Sequence, residues 1–188
     1  MNQHIEKEYK MLLTKEQYEL LLQQIQPDSP VKQVNYYFDT VDHQIQKRKG
    51  ALRIREREGV FLFTLKLHKE DDTLYEFEKL LPSCNQSALL DPEIQSLLQT
   101  QSISGSLQLI GELVTWRSIR ITDDAEICLD KNIYRDVIDY EIEYEYIREH
   151  NGLSIFQSIL DLVHLQYKEN CRSKIARALH LDRFKKES

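Results

Sequence analysis

Charged residues of one sign recur at alternate positions in several short segments of the sequence. Four such pairs are present: Glu6/Glu8, Arg53/Arg55, Glu76/Glu78 and Glu141/Glu143. Like charges two residues apart lie about 7 Å from each other on one face of a strand, so they lower stability unless a metal, a ligand or an opposite strand compensates them. Carboxylate oxygens suit Mg²⁺ or Mn²⁺, whereas arginine and lysine bind phosphate oxygens. The pattern therefore indicates a site that binds a divalent cation together with an anion.

The candidate residues nearly balance in charge. The carboxylates are Glu6, Glu8, Glu76, Glu78, Asp130, Glu141 and Glu143. The cations are Lys10, Arg53, Arg55, Lys66, Arg117 and Lys174. A near-neutral total built from opposed blocks favours a closed site that takes both cations and anions. A solvated sheet face would also give alternating charges, and alternation alone leaves this second interpretation open.

The first segment carries both types of charge within a few residues. Residues 4–10 read His-Ile-Glu-Lys-Glu-Tyr-Lys, so Glu6, Glu8 and Lys10 project from one face of a strand. Two carboxylates can share a divalent ion, and the ammonium group can meet a phosphate that the ion also contacts. This spacing alone arises by chance in charged sequences, so the prediction depends on the other segments as well.

Alternation of apolar and polar residues with period two predicts that these segments are β-strands. The predicted strands cover residues 5–10, 52–55, 61–68, 75–78, 126–130 and 139–146. Helices are predicted after a capping box formed by Thr14 and Gln17, after Asp91-Pro92, after Ser154, and over about 173–180. Short connections favour an antiparallel meander, and the sequence contains no convincing linker, so we expect a single domain over residues 1–188.

The composition argues against several broad classes of protein. Twenty-five Lys and Arg residues against 31 Asp and Glu give a net charge of −6, which disfavours general nucleic-acid binding. The longest apolar runs fall far short of the roughly 20 residues that span a bilayer, and no apolar leader follows Met1. We therefore expect a cytoplasmic protein. Three widely spaced cysteines without a Cys-x-x-Cys pair argue against a disulfide framework or a zinc site.

In its order along the chain, this set of charged residues resembles the CYTH domain family, also called triphosphate tunnel metalloenzymes. The resemblance extends over about residues 4–178 and is greatest with short bacterial members that are labelled adenylate cyclases. It implies an α+β, mainly antiparallel β fold in which eight strands close into a barrel, or tunnel, with a charged bore and flanking helices. A barrel of eight strands holds side chains and one small ligand.

The resemblance also implies a role for each matching residue. The metal ligands would be Glu6, Glu8, Asp130, Glu141 and Glu143. The cations that hold the phosphates would be Lys10, Arg53, Arg55, Lys66, Arg117 and Lys174. Glu76 and Glu78 would support the basic residues or a second metal, and Glu6, Glu8 and Lys10 would take part directly in catalysis. The base that activates water is left open between Lys10, a carboxylate and the metal.

The implied activity is hydrolysis of inorganic triphosphate, or of a small organic or nucleoside triphosphate, dependent on Mg²⁺ or Mn²⁺. Two alternatives are an adenylate cyclase, which forms cyclic AMP and pyrophosphate from ATP, and a non-catalytic module that binds triphosphate or polyphosphate. We expect a small-molecule triphosphate as partner, neither nucleic acid nor membrane, and a monomer or homodimer. The sequence leaves open which triphosphate is the substrate and whether Arg117 or Arg120 faces the site.

Overall fold

The computed structural model describes residues 1–5, 7–68 and 74–184, so the predicted site residue Glu6 lies outside the described residues. Contacts between Cα atoms divide the chain into two compact units. Among the described residues, unit 1 comprises 1–5, 33–68, 74–113 and 181–184, and unit 2 comprises 7–32 and 114–180. The expectation of one domain over residues 1–188 stays a prediction.

The described residues form nine strands, five α-helices and one 3₁₀ helix. The strands are β1 (Asn2–Ile5), β2 (Glu8–Leu13), β3 (Val31–Thr40), β4 (Ala51–Arg57), β5 (Val60–His68), β6 (Leu74–Leu81), β7 (Leu107–Ile121), β8 (Ala125–Tyr134) and β9 (Val137–Tyr146). The helices are α1 (Lys15–Ile25), α2 (Gln44–Lys47), α3 (Pro92–Thr100), α4 (Gly152–Asp161) and α5 (Lys174–Phe184), and the 3₁₀ helix is Gln86–Leu90. Strand pairing within each unit is antiparallel, which confirms the predicted mainly antiparallel β class with helices.

In unit 1 the strand order is β1-β6-β5-β4-β3, and the apolar side of this sheet forms the core. Ile54, Phe63 and Leu65 are fully buried in this core together with Ile94 of α3. Each such side chain contributes about 1.5–3 kcal/mol by leaving water. Side chains alternate along a strand, so the residues between them, including Arg53, project from the opposite face. The core thus stabilises a sheet whose other face carries charge.

In unit 2 the strand order is β7-β8-β9-β2, and α1 and α4 pack on the apolar side of this sheet. Leu21 of α1, Leu129 and Ile142 of the sheet, and Phe156 of α4 are completely buried. Tyr144 of β9 belongs to the same core, and its ring centroid lies 5.9 Å from that of Phe156. The two helices therefore fix the position of β9, the strand that carries four acidic residues on its other face.

The predicted capping box at the start of α1 is confirmed. Thr14 Oγ1 accepts a hydrogen bond from the Gln17 N–H at 3.2 Å, and Gln17 Oε1 accepts from the Thr14 N–H at 2.9 Å. Thr14→Ala is expected to lower the free energy of unfolding by about 1 kcal/mol, because the Gln17 N–H in the first turn of the helix loses its acceptor. Urea denaturation measures the change. Ser158→Ala on the exposed side of α4 serves as the control, with an expected change within about 0.5 kcal/mol. An equal loss in both variants would contradict the capping explanation.

Several element boundaries differ from the sequence-based predictions. Helix α4 begins at Gly152 after Asn151, so the prediction that Ser154 caps it is wrong. A Cβ atom at Gly152 would collide with the Tyr146 ring, which explains why glycine stands where the chain enters the helix. The C-terminal helix α5 continues to Phe184, beyond the predicted end.

The predicted first strand is present as β1 and β2, which pair with different partners, β6 and β9. This division accounts for a count of nine strands among the described residues where eight were expected. Closure of the strands into a barrel stays a prediction. Among the described helices, none combines the length and the apolar character needed to cross a membrane.

Candidate active site

The charged face of unit 2 gathers predicted site residues from four strands. Lys10 of β2 lies opposite Glu143 of β9. Asp130 of β8 lies between Glu141 of β9 and Arg117 of β7. Directly opposed residues of an antiparallel sheet share a face, so these five residues lie on the same side of the sheet.

The strand register answers the open question about the two arginines of β7. Arg120 is exposed and lies opposite Ile127, which belongs to the apolar core of unit 2. Arg117 lies opposite Asp130, and its side chain is only 12% exposed. Residues three apart on a strand project from opposite faces, so Arg117 is the arginine on the charged face.

Three carboxylates of this face, Asp130, Glu141 and Glu143, form the carboxylate cluster, and they converge on Lys174 of α5. The Lys174 Nζ lies 2.9 Å from Asp130 Oδ2, 3.3 Å from Glu141 Oε2 and 2.5 Å from Glu143 Oε1. Arg117 forms a bidentate ion pair with Asp130: Nε donates to Oδ1 at 2.8 Å, and Nη2 donates to Oδ2 at 2.6 Å. The same guanidinium also contacts Glu143. Asp130 and Glu141 are completely buried, and these contacts offset the cost of taking their charge out of water.

The cations keep negative charge in the carboxylate cluster. Burial acts to raise the pKa of Glu143, but Lys174, Arg117 and Lys10 outweigh burial and hold this pKa well below its ordinary value. Burial acts to lower the pKa of Lys174, but the surrounding carboxylates raise it well above normal. At Glu141 burial prevails over the nearby cations and raises the pKa. The neighbouring cations therefore hold Glu143 in its ionised form.

The predicted residues Glu8 and Lys10 form an ion pair on β2. Asn170 binds the backbone of both: its Oδ1 accepts from the Lys10 N–H at 2.8 Å, and its Nδ2 donates to the Glu8 carbonyl at 3.1 Å. The Cys171 N–H continues this pairing with a 3.2 Å hydrogen bond to the Lys10 carbonyl. Asn170 thus lines the edge of β2 and leads the chain into α5, which delivers Lys174 to the carboxylates.

The charged face of unit 1 carries Arg53, Arg55 and Lys66, which we term the basic face. The two arginines occupy alternate positions of β4, and Lys66 lies on the neighbouring strand β5. The Lys66 Nζ lies 3.5 Å from Oε2 of Glu76 on β6, a residue that is 4% exposed. Glu78 is on the same face of β6. The structure therefore places the predicted unit 1 residues on one face of the sheet, and it brings Glu76 into contact with Lys66.

Polar atoms beside the basic face are buried without a partner among the described residues. They are Arg55 Nε, Asn35 Oδ1 and Thr64 Oγ1. Asn35 lies directly opposite Arg55 in the sheet. A buried donor left without an acceptor costs about 1–3 kcal/mol, and more for a charged group. The Arg55 guanidinium is therefore suited to an anionic acceptor such as a phosphate oxygen.

The donor chemistry of the carboxylate cluster fits a hard divalent cation. Asp130, Glu141 and Glu143 each place an oxygen within 3.3 Å of one point, the Lys174 Nζ. Oxygen donors of this kind are the ligands of Mg²⁺ and Mn²⁺. Among the described residues, no group of three or more His, Cys, Asp or Glu side chains is already arranged to hold a metal ion. The carboxylates instead close on Lys174 and Arg117, so metal binding requires part of these contacts to be exchanged.

Sequence reasoning missed two charged residues of the unit 2 face, Asp139 and Arg177. Arg177 Nε lies 2.9 Å from Asp139 Oδ2, and Arg177 Nη2 contacts Glu141. Asp139 precedes Glu141 by two residues, and Arg177 follows Lys174 by three residues on the same side of α5. Extending the strand spacing of two residues back from Glu141 identifies Asp139, and extending the helical spacing of three residues on from Lys174 identifies Arg177.

Comparison with known proteins identifies relatives along nearly the whole chain. The family model described as "CYTH domain" matches residues 4–179. A relative from Bacillus subtilis (strain 168), named "Putative triphosphatase YjbK", is 30% identical over 182 residues, which cover 94% of this chain and 95% of the relative.

Two solved structures are also similar to this chain. One, from Bacillus halodurans, is described as a "putative adenylate cyclase"; it is 34% identical, has a TM-score of 0.82, and the match covers 94% of this chain and 98% of that one. The other, from Hippeastrum, is described as a "putative adenylyl cyclase" that reveals a dominant triphosphatase activity. It is 21% identical, with a TM-score of 0.74 and coverage of 94% and 95%, so this likeness shows the fold alone.

Proposed function

The chain belongs to the CYTH domain family, and from this premise we propose that it hydrolyses a triphosphate with the help of a divalent metal ion. The observation that carries the proposal is the buried Arg55 Nε, a charged donor without an acceptor among the described residues, on a face that also holds Arg53 and Lys66. The Bacillus subtilis relative carries the name "Putative triphosphatase YjbK", which supports hydrolysis as the reaction.

Binding of the triphosphate is assigned to the basic face. A guanidinium presents a planar fork of N–H donors that matches two oxygens of a phosphate, whereas a lysine ammonium acts as a point charge. Arg53 and Arg55 would therefore set the orientation of the phosphates, and Lys66 would add charge. Glu76 contacts Lys66 and so orients its ammonium, and Glu78 lies beside it on the same strand face.

Binding of the metal is assigned to the carboxylate cluster together with Glu8, and with Glu6 as expected from the sequence. Members of the family are metal-dependent. When bound, Mg²⁺ or Mn²⁺ supplies Lewis-acid stabilisation of the charge that develops on phosphate oxygens. Lys174 and Arg117 hold the pKa of Glu143 well below its ordinary value, and a carboxylate must be ionised to bind a metal.

Arg117 and Lys174 contact carboxylates in this structure, and their assignment as phosphate ligands stays a prediction. Both side chains lie within hydrogen-bonding distance of Asp130 and Glu143. A bound phosphate is negatively charged and would compete with the carboxylates for Arg117 and Lys174. A bound metal ion would compensate part of the carboxylate charge, so the carboxylates could give up part of their contact with the two cations. In this assignment the cations stabilise the leaving phosphate while the carboxylates remain compensated.

The proposal is tested by incubating the purified protein with inorganic triphosphate, thiamine triphosphate or ATP, each with Mg²⁺ or Mn²⁺. Phosphate, pyrophosphate and cyclic AMP are measured in the same samples. Release of phosphate without cyclic AMP is the expected result. Cyclic AMP together with pyrophosphate would establish a cyclase instead. Absence of any product, with a rise in melting temperature on adding triphosphate, would establish a binding module.

Arg55→Ala is expected to lower the rate of triphosphate hydrolysis by about 10²–10³-fold, because a fixed donor to the reacting phosphates is lost. Steady-state kinetics on the substrate identified above measure the effect. Arg57→Ala is the matched control: it removes the next arginine of β4, whose side chain is 43% exposed and pairs with Glu58. Equal rates for the Arg55 variant and the wild type would refute the basic face as the substrate site.

A further inference from the structure

We infer that Asp139 and Arg177 are positioning residues that orient Glu141, a carboxylate assigned to the metal. The inference rests on the function proposed above, because it concerns the same site. Both residues act through Glu141, and neither is assigned a contact with the phosphates. Three observations lead to this role: the donors of Arg177, the acceptors of Asp139, and the burial of the residues around them.

The donors of the Arg177 guanidinium are all directed at acceptors within the chain. Nε donates to Asp139 Oδ2 at 2.9 Å, and Nη2 donates to Asp139 Oδ1 at 3.3 Å and to Glu141 Oε2. Nη1 donates to the Arg172 carbonyl at 2.5 Å and lies 3.7 Å from Cys171 Sγ. A guanidinium has five N–H donors, so Arg177 can bind an outside phosphate only by giving up one of these contacts. This saturation favours an anchor over a substrate contact.

The acceptors of the Asp139 carboxylate are occupied as well. Oδ1 accepts from Asn132 Nδ2 at 2.9 Å and from Arg177 Nη2, and Oδ2 accepts from the Tyr134 O–H and from Arg177 Nε. Asn132 Oδ1 in turn accepts from Thr115 Oγ1 at 2.8 Å. A carboxylate offers about four lone-pair sites, and four donors already use them. Asp139 is therefore an anchor rather than a further metal ligand, although it shares the spacing of the ligands that follow it.

These residues form a buried network, which we term the Asp139 network: Thr115, Asn132, Tyr134, Asp139 and Arg177. The first three are 2%, 0% and 5% exposed. A buried network whose members are hydrogen-bonded holds each side chain in one conformation, because any movement would break bonds in a low-dielectric environment.

The Asp139 network meets the carboxylate cluster through the hydrogen bond from Arg177 Nη2 to Glu141 Oε2. Glu141 is completely buried, so this contact limits how its carboxylate can turn. The same carboxylate lies 3.3 Å from Lys174 through the same oxygen, Oε2. Side chains that hydrogen-bond to a metal ligand commonly change metal affinity by about 10–100-fold when they are replaced. We expect an effect of this size from Asp139 and Arg177.

The test is a titration of the full chain with Mn²⁺ in the absence of substrate. Electron paramagnetic resonance measures the free Mn²⁺ at each step and so gives the binding affinity. Arg177→Lys keeps the charge and removes the fork, and Asp139→Asn keeps the shape and removes the charge. Both are expected to bind Mn²⁺ about 10–100-fold more weakly than the wild type. At saturating Mn²⁺ the KM for triphosphate is expected to change by less than about threefold, because the basic face is untouched.

Arg148→Lys is the matched control. Arg148 also forms an ion pair with an aspartate of unit 2, Asp124, but the two side chains are 63% and 38% exposed. Its Mn²⁺ binding is expected to equal that of the wild type. Thermal unfolding verifies that each variant is folded. Tyr134→Phe removes a single neutral donor to Asp139, so it is expected to weaken Mn²⁺ binding less than Asp139→Asn does. This milder variant still tests the inference if Asp139→Asn or Arg177→Lys fails to fold.

The outcomes separate this inference from the proposed function. Unchanged Mn²⁺ affinity in the Arg177 and Asp139 variants, with a raised KM for triphosphate, would overturn the positioning role and leave the hydrolase intact. Weakened Mn²⁺ binding in variants of a chain that hydrolyses no triphosphate would support the positioning role and overturn the proposed function. A wild-type chain that binds no Mn²⁺ would overturn both.

Discussion

Glu143→Gln is expected to lower the rate of triphosphate hydrolysis by about 10³-fold, equivalent to roughly 4 kcal/mol in the activation free energy. Glu143 is the carboxylate that Lys174, Arg117 and Lys10 hold in its ionised form. The amide keeps the shape of the side chain but carries no charge, so it is a poor ligand for Mg²⁺ or Mn²⁺. Rates measured over a range of metal concentrations show whether the loss lies in metal binding or in the maximal rate.

Glu149→Gln provides the control for this substitution. Glu149 is also a glutamate of unit 2, but its side chain is 79% exposed and pairs with Lys7. Its rate is expected to equal that of the wild type. A Glu143 variant that retained full activity at every metal concentration would show that the carboxylate cluster serves only to neutralise buried cations.

Much of the candidate site could be predicted because its residues follow the simplest regularity of a strand. Arg53 and Arg55 on β4 flank the buried Ile54, and Glu141 and Glu143 on β9 flank the buried Ile142, so both pairs keep a strict period of two. Such alternation fixes which side chains share a face without knowledge of the tertiary structure. The sequence of these two strands is therefore enough to predict which of their charged side chains lie on the same face.

The choice between Arg117 and Arg120 shows where this regularity stops. Trp116 lies on the same face of β7 as Arg120, and Ile119 lies on the same face as Arg117. Apolar residues thus occur on both faces, and the segment has no period from which its orientation can be inferred. The strand pairing settles the orientation, and pairing is a long-range property of the fold.

The strand β3 was missed for a related reason. Tyr36, Tyr37 and Phe38 follow one another, and both sides of this part of β3 are covered: Phe38 lies in the apolar core, while Tyr37 is 4% exposed and lies opposite Arg53. A strand buried on both faces reads as a continuous apolar run and loses its alternation. The family resemblance implied eight strands where alternation alone predicted six.

The contacts of Lys174 also lie beyond what sequence spacing can show, and they lead to the second large effect. Lys174→Met is expected to lower the free energy of unfolding by about 3–5 kcal/mol, because Asp130, Glu141 and Glu143 would lose a cation that lies within 3.3 Å of each. The variant is measured by thermal and urea unfolding in the absence of divalent ions. Lys15→Met on α1 is the control, since this lysine is 63% exposed and its change is expected to stay within about 0.5 kcal/mol.

Addition of Mn²⁺ to the Lys174 variant separates a metal site from a purely structural ion cluster. A ligand that binds the folded state stabilises it by about 2.7 kcal/mol at a concentration of 100 times its Kd. The variant lacks the ammonium that competes for the three carboxylates, so we expect Mn²⁺ to raise its melting temperature more than that of the wild type. Melting temperatures that respond to Mn²⁺ equally in both proteins would place the metal away from Asp130, Glu141 and Glu143. Lys174 would then be a structural residue whose charge compensates buried carboxylates, and the metal ligands would have to be sought around Glu8.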